Sequence, residues 1–277
     1  MNMCKVPTIE LNTGAKMPAL GFGTWQIDNQ EEAEESVKSA LKTGYRLIDT
    51  ARIYGNEEGV GRGIKESGIP RKEIFITTKL WNDDQDYDSA LAAFEKSLKR
   101  LALEYLDLYL IHWPATKNRG EAWKALQKIH ADGMAKNIGV SNYTVRHLEE
   151  VLAESDTVPA VNQIEFHPFI YNKQKDILEF CKDKGIVVEA YSPLARARQM
   201  ENTTLHAVAQ RHGKTIAQVM LRWAIQHGTV PIPKSTNPGR IKENFDVFDF
   251  ELAKEEMETI NNLSNDTRIA PDPTNMS

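Results

Sequence analysis

The chain has 277 residues, is 41% hydrophobic and 26% charged, and carries a net charge of −5 at pH 7. That mix is ordinary for a soluble globular protein and far from disordered or fibrous compositions. A mildly acidic surface offers no general attraction to phosphate backbones or anionic lipid, so nucleic acid and membrane surfaces are excluded as default partners. Any anionic ligand must be held by a local basic cluster.

Cys4 and Cys181 cannot make a disulfide framework and lack the paired spacing of a zinc site, so they are expected to be free thiols in a reducing compartment. The first ten residues hold no apolar core of signal-peptide length, and no apolar run approaches the ~18 residues that span a bilayer. The expectation is a cytoplasmic protein that binds no metal.

In chain order, Thr8-Ile-Glu-Leu and Lys16-Met-Pro-Ala flank Asn12-Thr13-Gly14, the pattern of a small hairpin. Short apolar runs then predict eight strands, at 19–24, 45–50, 74–79, 106–112, 137–142, 160–166, 185–191 and 229–234. From residue 45 on, their starts are 29, 32, 31, 23, 25 and 44 residues apart. A βαβ unit takes about thirty residues, so the middle spacings allow one helix per strand. Leu91, Phe94, Leu98 and Leu101 recur at steps of three and four, which puts one apolar stripe on a helix. Val219, Met220 and Trp223 mark another helix over 216–226, and Met257, Ile260 and Leu263 a last one. Asp86 and Thr144 stand where N-caps belong, and glycines 44, 68, 133, 185 and 213 where helices stop. No linker or compositional break divides residues 1–277.

Two α/β architectures fit this alternation: a closed (β/α)8 barrel and an open, doubly wound sheet. The open sheet would carry a glycine-rich phosphate loop after its first strand. Gly59-Val-Gly61-Arg-Gly63 is the near match, but it follows a helical stretch and lacks the third spacing. These glycines are expected to pack helices, and the closed barrel is the fold predicted.

Function in such a barrel collects at the C-terminal ends of its strands. Asp49, Lys79 and His112 end three successive strands there, with Tyr54 one short loop after Asp49. Ser141, Asn142, Gln163, Glu165, Tyr191, Ser192, Lys234 and Ser235 occupy the ends of the others. A phenol with an ordinary pKa near 10 exchanges protons poorly at neutral pH. A lysine ammonium about 4 Å away would attract the phenolate by roughly 4 kcal/mol at an effective dielectric near 20. The expectation is a net fall of about one to three pKa units in Tyr54. Asp49 would keep Lys79 charged, and His112 would donate to a substrate oxygen. A proton donor beside a carbonyl, with no metal, suits reduction of C=O by hydride. A hydrolase using His112 and Glu165 is the weaker reading, because no activated nucleophile or metal set accompanies them.

The residues also carry a family resemblance. Gly21-Phe-Gly-Thr-Trp25, Gly44-Tyr-Arg-Leu-Ile-Asp-Thr50, Tyr54-Gly-Asn-Glu-Glu-Gly-Val-Gly61 and Ile76-Thr-Thr-Lys-Leu-Trp81 occur in order. They are followed by Asp107-Leu-Tyr-Leu-Ile-His-Trp-Pro114, Ile138-Gly-Val-Ser-Asn142, Asn162-Gln-Ile-Glu165 and Ile232-Pro-Lys-Ser235. The chain resembles the aldo-keto reductases across essentially its whole length. It is most similar to the short microbial branch of 2,5-diketo-D-gluconate and glyoxal or methylglyoxal reductases.

The resemblance implies an NADPH-dependent reductase of small or polar carbonyl compounds, monomeric, with Tyr54 as general acid. Lys79 and Asp49 would tune Tyr54, and His112 would orient the carbonyl. It implies that Thr24, Ser141, Asn142, Gln163, Tyr191, Ser192 and Leu194 bind the cofactor. Lys234, Ser235, Thr236 and Arg240 would take the adenosine 2′-phosphate, with Glu243 and Asn244 near the adenine. Trp25, Trp81 and Trp113 would join His112 around the substrate. The chain ends 14 residues after Leu263, which implies an open pocket. Some relatives of this fold are cofactor-sensing subunits of ion channels, and that regulatory role is the alternative. Arg52, Arg196 and Arg198 depart from the family pattern. The two later arginines either grip the cofactor pyrophosphate or an acidic substrate, or are solvated loop charges.

Overall fold

The computed structural model describes residues 6–115 and 119–276. Strands β1 (Thr8–Glu10) and β2 (Lys16–Pro18) form the antiparallel hairpin around Gly14, whose φ of 80° suits glycine at the turn. Eight parallel strands follow: β3 (Phe22–Gly23), β4 (Leu47–Asp49), β5 (Phe75–Leu80), β6 (Leu108–Ile111), β7 (Ile138–Ser141), β8 (Val161–Glu165), β9 (Val187–Tyr191) and β10 (Val230–Pro231). They pair in sequence order, β3 to β10. Two backbone hydrogen bonds close the circle: Gly21 N–H donates to Pro231 O (3.0 Å) and Gly23 N–H to Pro233 O (3.1 Å). A Cβ on Gly23 would lie 2.8 Å from the Ile232 carbonyl oxygen, so this seam needs glycine. The expected strands are all present, several shorter than the apolar runs that announced them.

The helices are α1 (Gln30–Thr43), α2 (Glu57–Glu66), α3 (Tyr87–Leu101), α4 (Arg119–Ala131), α5 (Val145–Glu154), α6 (Tyr171–Asp183), α7 (Thr203–His212), α8 (Ile216–Gln226), α9 (Pro238–Phe245) and α10 (Lys254–Asn261). Asp86 and Thr144 cap α3 and α5 as expected. The long step before the last strand holds two helices, α7 and α8. Leu263 lies beyond α10, although it still packs on the core. Gly59 and Gly61 sit inside α2 and let it approach its neighbours. A Cβ on Gly59 would come within 2.2 Å of Gln30 O at the start of α1, and one on Gly61 within 2.4 Å of Leu101 O at the end of α3.

Strand residues alternate between two apolar clusters. Ile48, Ile76, Tyr109 and Val140 face the helices, whereas Leu47, Phe75, Leu108 and Val161 fill the barrel. Leu11 and Met17 of the hairpin join the inner cluster and plug the end where the strands begin. The opposite end keeps polar side chains, and there the site forms. Cys181 is buried and free; Cys4 lies outside the described residues. No helix among the described residues is long and apolar enough to cross a membrane.

Candidate active site

A cavity of about 750 Å³ opens at the C-terminal ends of the strands. Asp49 ends β4 and Lys79 lies one residue before the end of β5, both buried in the barrel. Lys79 Nζ donates to both Asp49 oxygens (2.7 and 2.8 Å), to Thr50 O (2.9 Å) and to the Tyr54 hydroxyl (3.4 Å). Burial works against the Lys79 ammonium, but the facing Asp49 carboxylate outweighs it and holds the pKa above the ordinary lysine value. Burial likewise lifts the Asp49 carboxyl, with Lys79 pulling it back. Buried charges persist only when paired and hydrogen-bonded in this way.

Tyr54 ends a short 3-10 turn, Arg52–Tyr54, released by Gly55 at φ 69°. Its acidity is the reverse of the sequence expectation: burial pushes the phenol up to about 12, against a smaller downward pull from Lys79 and an upward push from Asp49. The ammonium is shared with a carboxylate, so its net field at the phenol is weak. The desolvation that the sequence argument treated as an offset is the larger effect. Tyr54 therefore holds its proton throughout the neutral range.

His112 follows β6 and is ringed by aromatics. Its centroid lies 5.7 Å from Tyr54 and 5.2 Å from Trp81, both edge-on, and 6.4 Å from the stacked Trp113. Burial and the nearby Lys79 cation hold its pKa well below the ordinary histidine value. The neutral ring has one N–H to give. Tyr54, His112, Trp25, Trp81 and Trp113 all line the cavity, so the expected substrate wall is assembled.

Across the barrel, Ser141 Oγ donates to Gln163 O (3.0 Å), and Asn142 Nδ2 donates to His112 O (3.0 Å) and Ser141 Oγ (3.1 Å). The Tyr191 hydroxyl donates to Asn142 Oδ1 (2.8 Å). Asn142 and Ser192 adopt left-handed backbone, φ 64° and 50°, a strained state tolerated where the surroundings enforce it. Ser192, Leu194, Lys234, Ser235, Arg240, Glu243 and Asn244 complete the far wall. Among the described residues, neither Lys234 nor Arg240 is in an ion pair.

Two expectations change in detail. Thr24 is buried and donates to Asp49 O (3.0 Å), which keeps it out of the cavity wall; Thr236 is not among the lining residues either. Asn237 caps α9, which starts at Pro238, and Arg240 lies in its first turn. Arg52 pairs with Asp84 (3.3 Å), joining the Tyr54 turn to the loop after β5. The Arg196 guanidinium stacks over the Trp25 ring, 4.3 Å from its centroid, whereas Arg198 is exposed.

One site residue, Asn56, escaped sequence reasoning, and the partners of another, Glu165, did so too. Asn56 is fully buried; it accepts from Thr50 Oγ1 (2.8 Å) and donates to Thr24 O (2.9 Å) and Ile27 O (3.0 Å), fixing the loop that presents Tyr54. Glu165 accepts from the N–H groups of Ile269 (2.7 Å) and Ala270 (2.9 Å) and faces His167 Nε2 (3.0 Å). It thereby anchors the C-terminal segment whose Ala270 and Pro271 line the cavity. A carboxylate committed to those donors is not free for hydrolytic work, which removes the main support for that reading. Among the described residues no group of three or more His, Cys, Asp or Glu could hold a metal ion.

Comparison with known proteins agrees with this geometry. Residues 19–265 match the aldo/keto reductase family. The chain is similar to a glyoxal reductase of Bacillus subtilis, 53% identical over 266 residues and covering 96% of each protein. It is also similar to a 9,11-endoperoxide prostaglandin H2 reductase of Trypanosoma cruzi, 48% identical over 98% of this chain and 96% of that one. A crystal structure of a Bombyx mori aldo-keto reductase in complex with NADP superimposes with a TM-score of 0.91 at 37% identity, covering 97% of this chain and 96% of that one. Fold, site and similarity together place the chain in the aldo/keto reductase family, as an oxidoreductase.

Proposed function

We propose that this protein reduces small aldehydes and ketones to alcohols with NADPH, Tyr54 supplying the proton. The observation that carries this reading is the buried Lys79 ammonium between Asp49 and the Tyr54 hydroxyl, behind a cavity wall that Tyr54 shares with neutral His112. NADPH bound along Gln163, Tyr191 and the Lys234–Arg240 corner supplies the hydride. The fit rests on the Gln163 amide lining the cavity and on two cations without ion-pair partners at its far wall. His112 donates its N–H to the substrate oxygen and so fixes the carbonyl carbon. Tyr54 O–H transfers its proton as negative charge builds on that oxygen, and Lys79 stabilises the phenolate left behind. Trp25, Trp81 and Trp113 exclude water and bound a pocket for compact substrates such as α-ketoaldehydes or keto-sugars. Relatives named for glyoxal and for an endoperoxide show that substrate choice varies on this scaffold.

A panel of aldehydes, α-ketoaldehydes and keto-sugars assayed with NADPH and NADH tests the reading. Reduction of the small dicarbonyls with NADPH is expected; no turnover of any member with either cofactor would overturn it.

Cofactor choice gives a separate prediction. Lys234 and Arg240 are exposed at the start of α9, where the helix dipole adds to their charge. Arg240→Ala is expected to weaken NADPH binding by about 1.5 kcal/mol, roughly tenfold. That is the lower end for a charged hydrogen bond, because solvent screens the site. NADH binding should be nearly unchanged. Fluorescence titration decides it, and equal losses for both cofactors would show that Arg240 does not contact the 2′-phosphate.

A further inference from the structure

Glu189 lies in the middle of β9, fully buried, in register with Gln163 of β8 and Val230 of β10. A carboxyl inside a barrel is costly unless hydrogen bonds hold it. Its Oε2 accepts from Gln163 Nε2 at 2.5 Å, and its Oε1 has no partner. The charged and titratable groups facing it are Asp49 from β4, Lys79 from β5 and the Tyr54 phenol. Lys79 directs its donors to Asp49, Thr50 and Tyr54, so no cation is committed to Glu189.

Gln163 Nε2 also donates to Asp49 Oδ2 (2.9 Å), so both of its N–H bonds point into the barrel. The Asp49 carboxylate can only accept, and turning the amide over would set its carbonyl oxygen against those oxygens. Gln163 Oε1 accepts from none of the described residues, on a side chain that lines the cavity.

We propose that Glu189 is a positioning residue for the cofactor: with Asp49 it locks the Gln163 amide so that its carbonyl oxygen faces the cavity as acceptor for the nicotinamide carboxamide. This rests on the NADPH reading above and adds a pH dependence to it. Burial, reinforced by the Asp49 charge, pushes the Glu189 carboxyl up to about 8. It is then uncharged at neutral pH and gains a negative charge as pH rises through that value. Tyr54, His112 and Lys79 do not change charge in this window. An oxidised nicotinamide ring is positive and a reduced ring is neutral, so the new charge favours the oxidised form. The ratio Kd(NADP+)/Kd(NADPH) should fall between about pH 6.5 and 9, and the 2′-phosphate ionisation common to both cofactors cancels in it.

Titrating both cofactors against wild type, Glu189→Gln and Glu189→Leu, with the Tm of each cofactor-free protein, tests the proposal. Glu189→Gln keeps an acceptor for Gln163, so NADPH affinity should stay within about threefold of wild type while the pH slope of the ratio disappears. Glu189→Leu should weaken NADPH binding about tenfold, equivalent to about 1.4 kcal/mol. Its Tm reads the separate cost of leaving a Gln163 N–H without its acceptor, so the affinity is compared on protein shown to be folded. Wild-type affinity in Glu189→Leu, or a retained pH slope in Glu189→Gln, overturns the proposal. Should Glu189→Leu not fold, the slope in Glu189→Gln decides alone. A wild-type protein that bound neither cofactor would overturn the functional reading and this inference with it.

Discussion

Replacing Tyr54 with phenylalanine is expected to lower kcat for carbonyl reduction by about 10²- to 10⁴-fold, the contribution usual for a positioned general acid. The NADPH dissociation constant should stay within about twofold, since the change leaves every hydrogen bond of Gln163 and Asn142 intact. Phenylalanine fills the space of the ring and removes only the hydroxyl that Lys79 approaches at 3.4 Å. His112 cannot stand in, because its imidazole is held neutral and is then a far weaker acid than imidazolium. With the phenol held up at about 12, the wild-type enzyme keeps its proton donor charged with hydrogen across neutral pH. Ionisation of Tyr54 should thus depress reduction only in strong alkali. A folded variant that kept more than about a tenth of wild-type kcat would remove Tyr54 from the mechanism.

Lys79→Met should lose activity to a similar degree, about 10²-fold or more, and should also cost stability. The substitution strips Asp49 of its cation inside the barrel, and breaking a buried pair from one side typically costs about 3–5 kcal/mol. The loss of turnover must therefore be measured on protein shown to be folded, with chemical denaturation giving the stability difference. Asp49→Asn should be milder in rate, because Asp49 acts on Tyr54 through Lys79. It still places an N–H2 group against either Lys79 or Gln163, both of which are donors to Asp49. The pH profile of kcat/KM separates the roles: Asp49→Asn removes a charge that pushes the Tyr54 phenol up, so the apparent pKa of the acid should move downward from about 12. Activity lost in Asp49→Asn with an unmoved profile would assign Asp49 to structure alone.

Much of this architecture was legible because its signals are local. The step of about thirty residues between apolar runs is the length of a strand, a helix and two loops, and α8 falls on the 216–226 segment marked by Val219, Met220 and Trp223. The glycines of α2 could be separated from a phosphate loop because they follow Asn56-Glu57-Glu58, a helix start and not a strand. The rim set Asp49, Tyr54, Lys79 and His112 followed from position at strand ends; Asp49, Tyr54 and His112 line the cavity, and Lys79 lies buried behind them, bonded to Asp49 and Tyr54.

What was illegible depends on distance in the sequence. Glu189 stands among valines in a strand, and nothing local shows that it meets Gln163 across a pair of strands. Glu165 was legible as a rim carboxylate, but its partners at Ile269 and Ala270 lie more than a hundred residues on. Asn56 resembles an ordinary N-cap until its contacts with Thr24 and Ile27 are seen, and no side-chain capping bond is in fact made. The acidity of Tyr54 was misjudged because the sequence shows that a lysine is near, but not how deeply the phenol and its partners are buried.

Hydride transfer itself tests the central claim most directly. NADPH deuterated at both C4 positions, incubated with the wild-type protein and a small α-ketoaldehyde, should yield an alcohol carrying one deuterium at the former carbonyl carbon for each cofactor oxidised, as read by mass spectrometry. Tight binding of NADPH with no deuterium in any carbonyl product would contradict the account, and would mark the protein as a cofactor-sensing module built on a reductase scaffold.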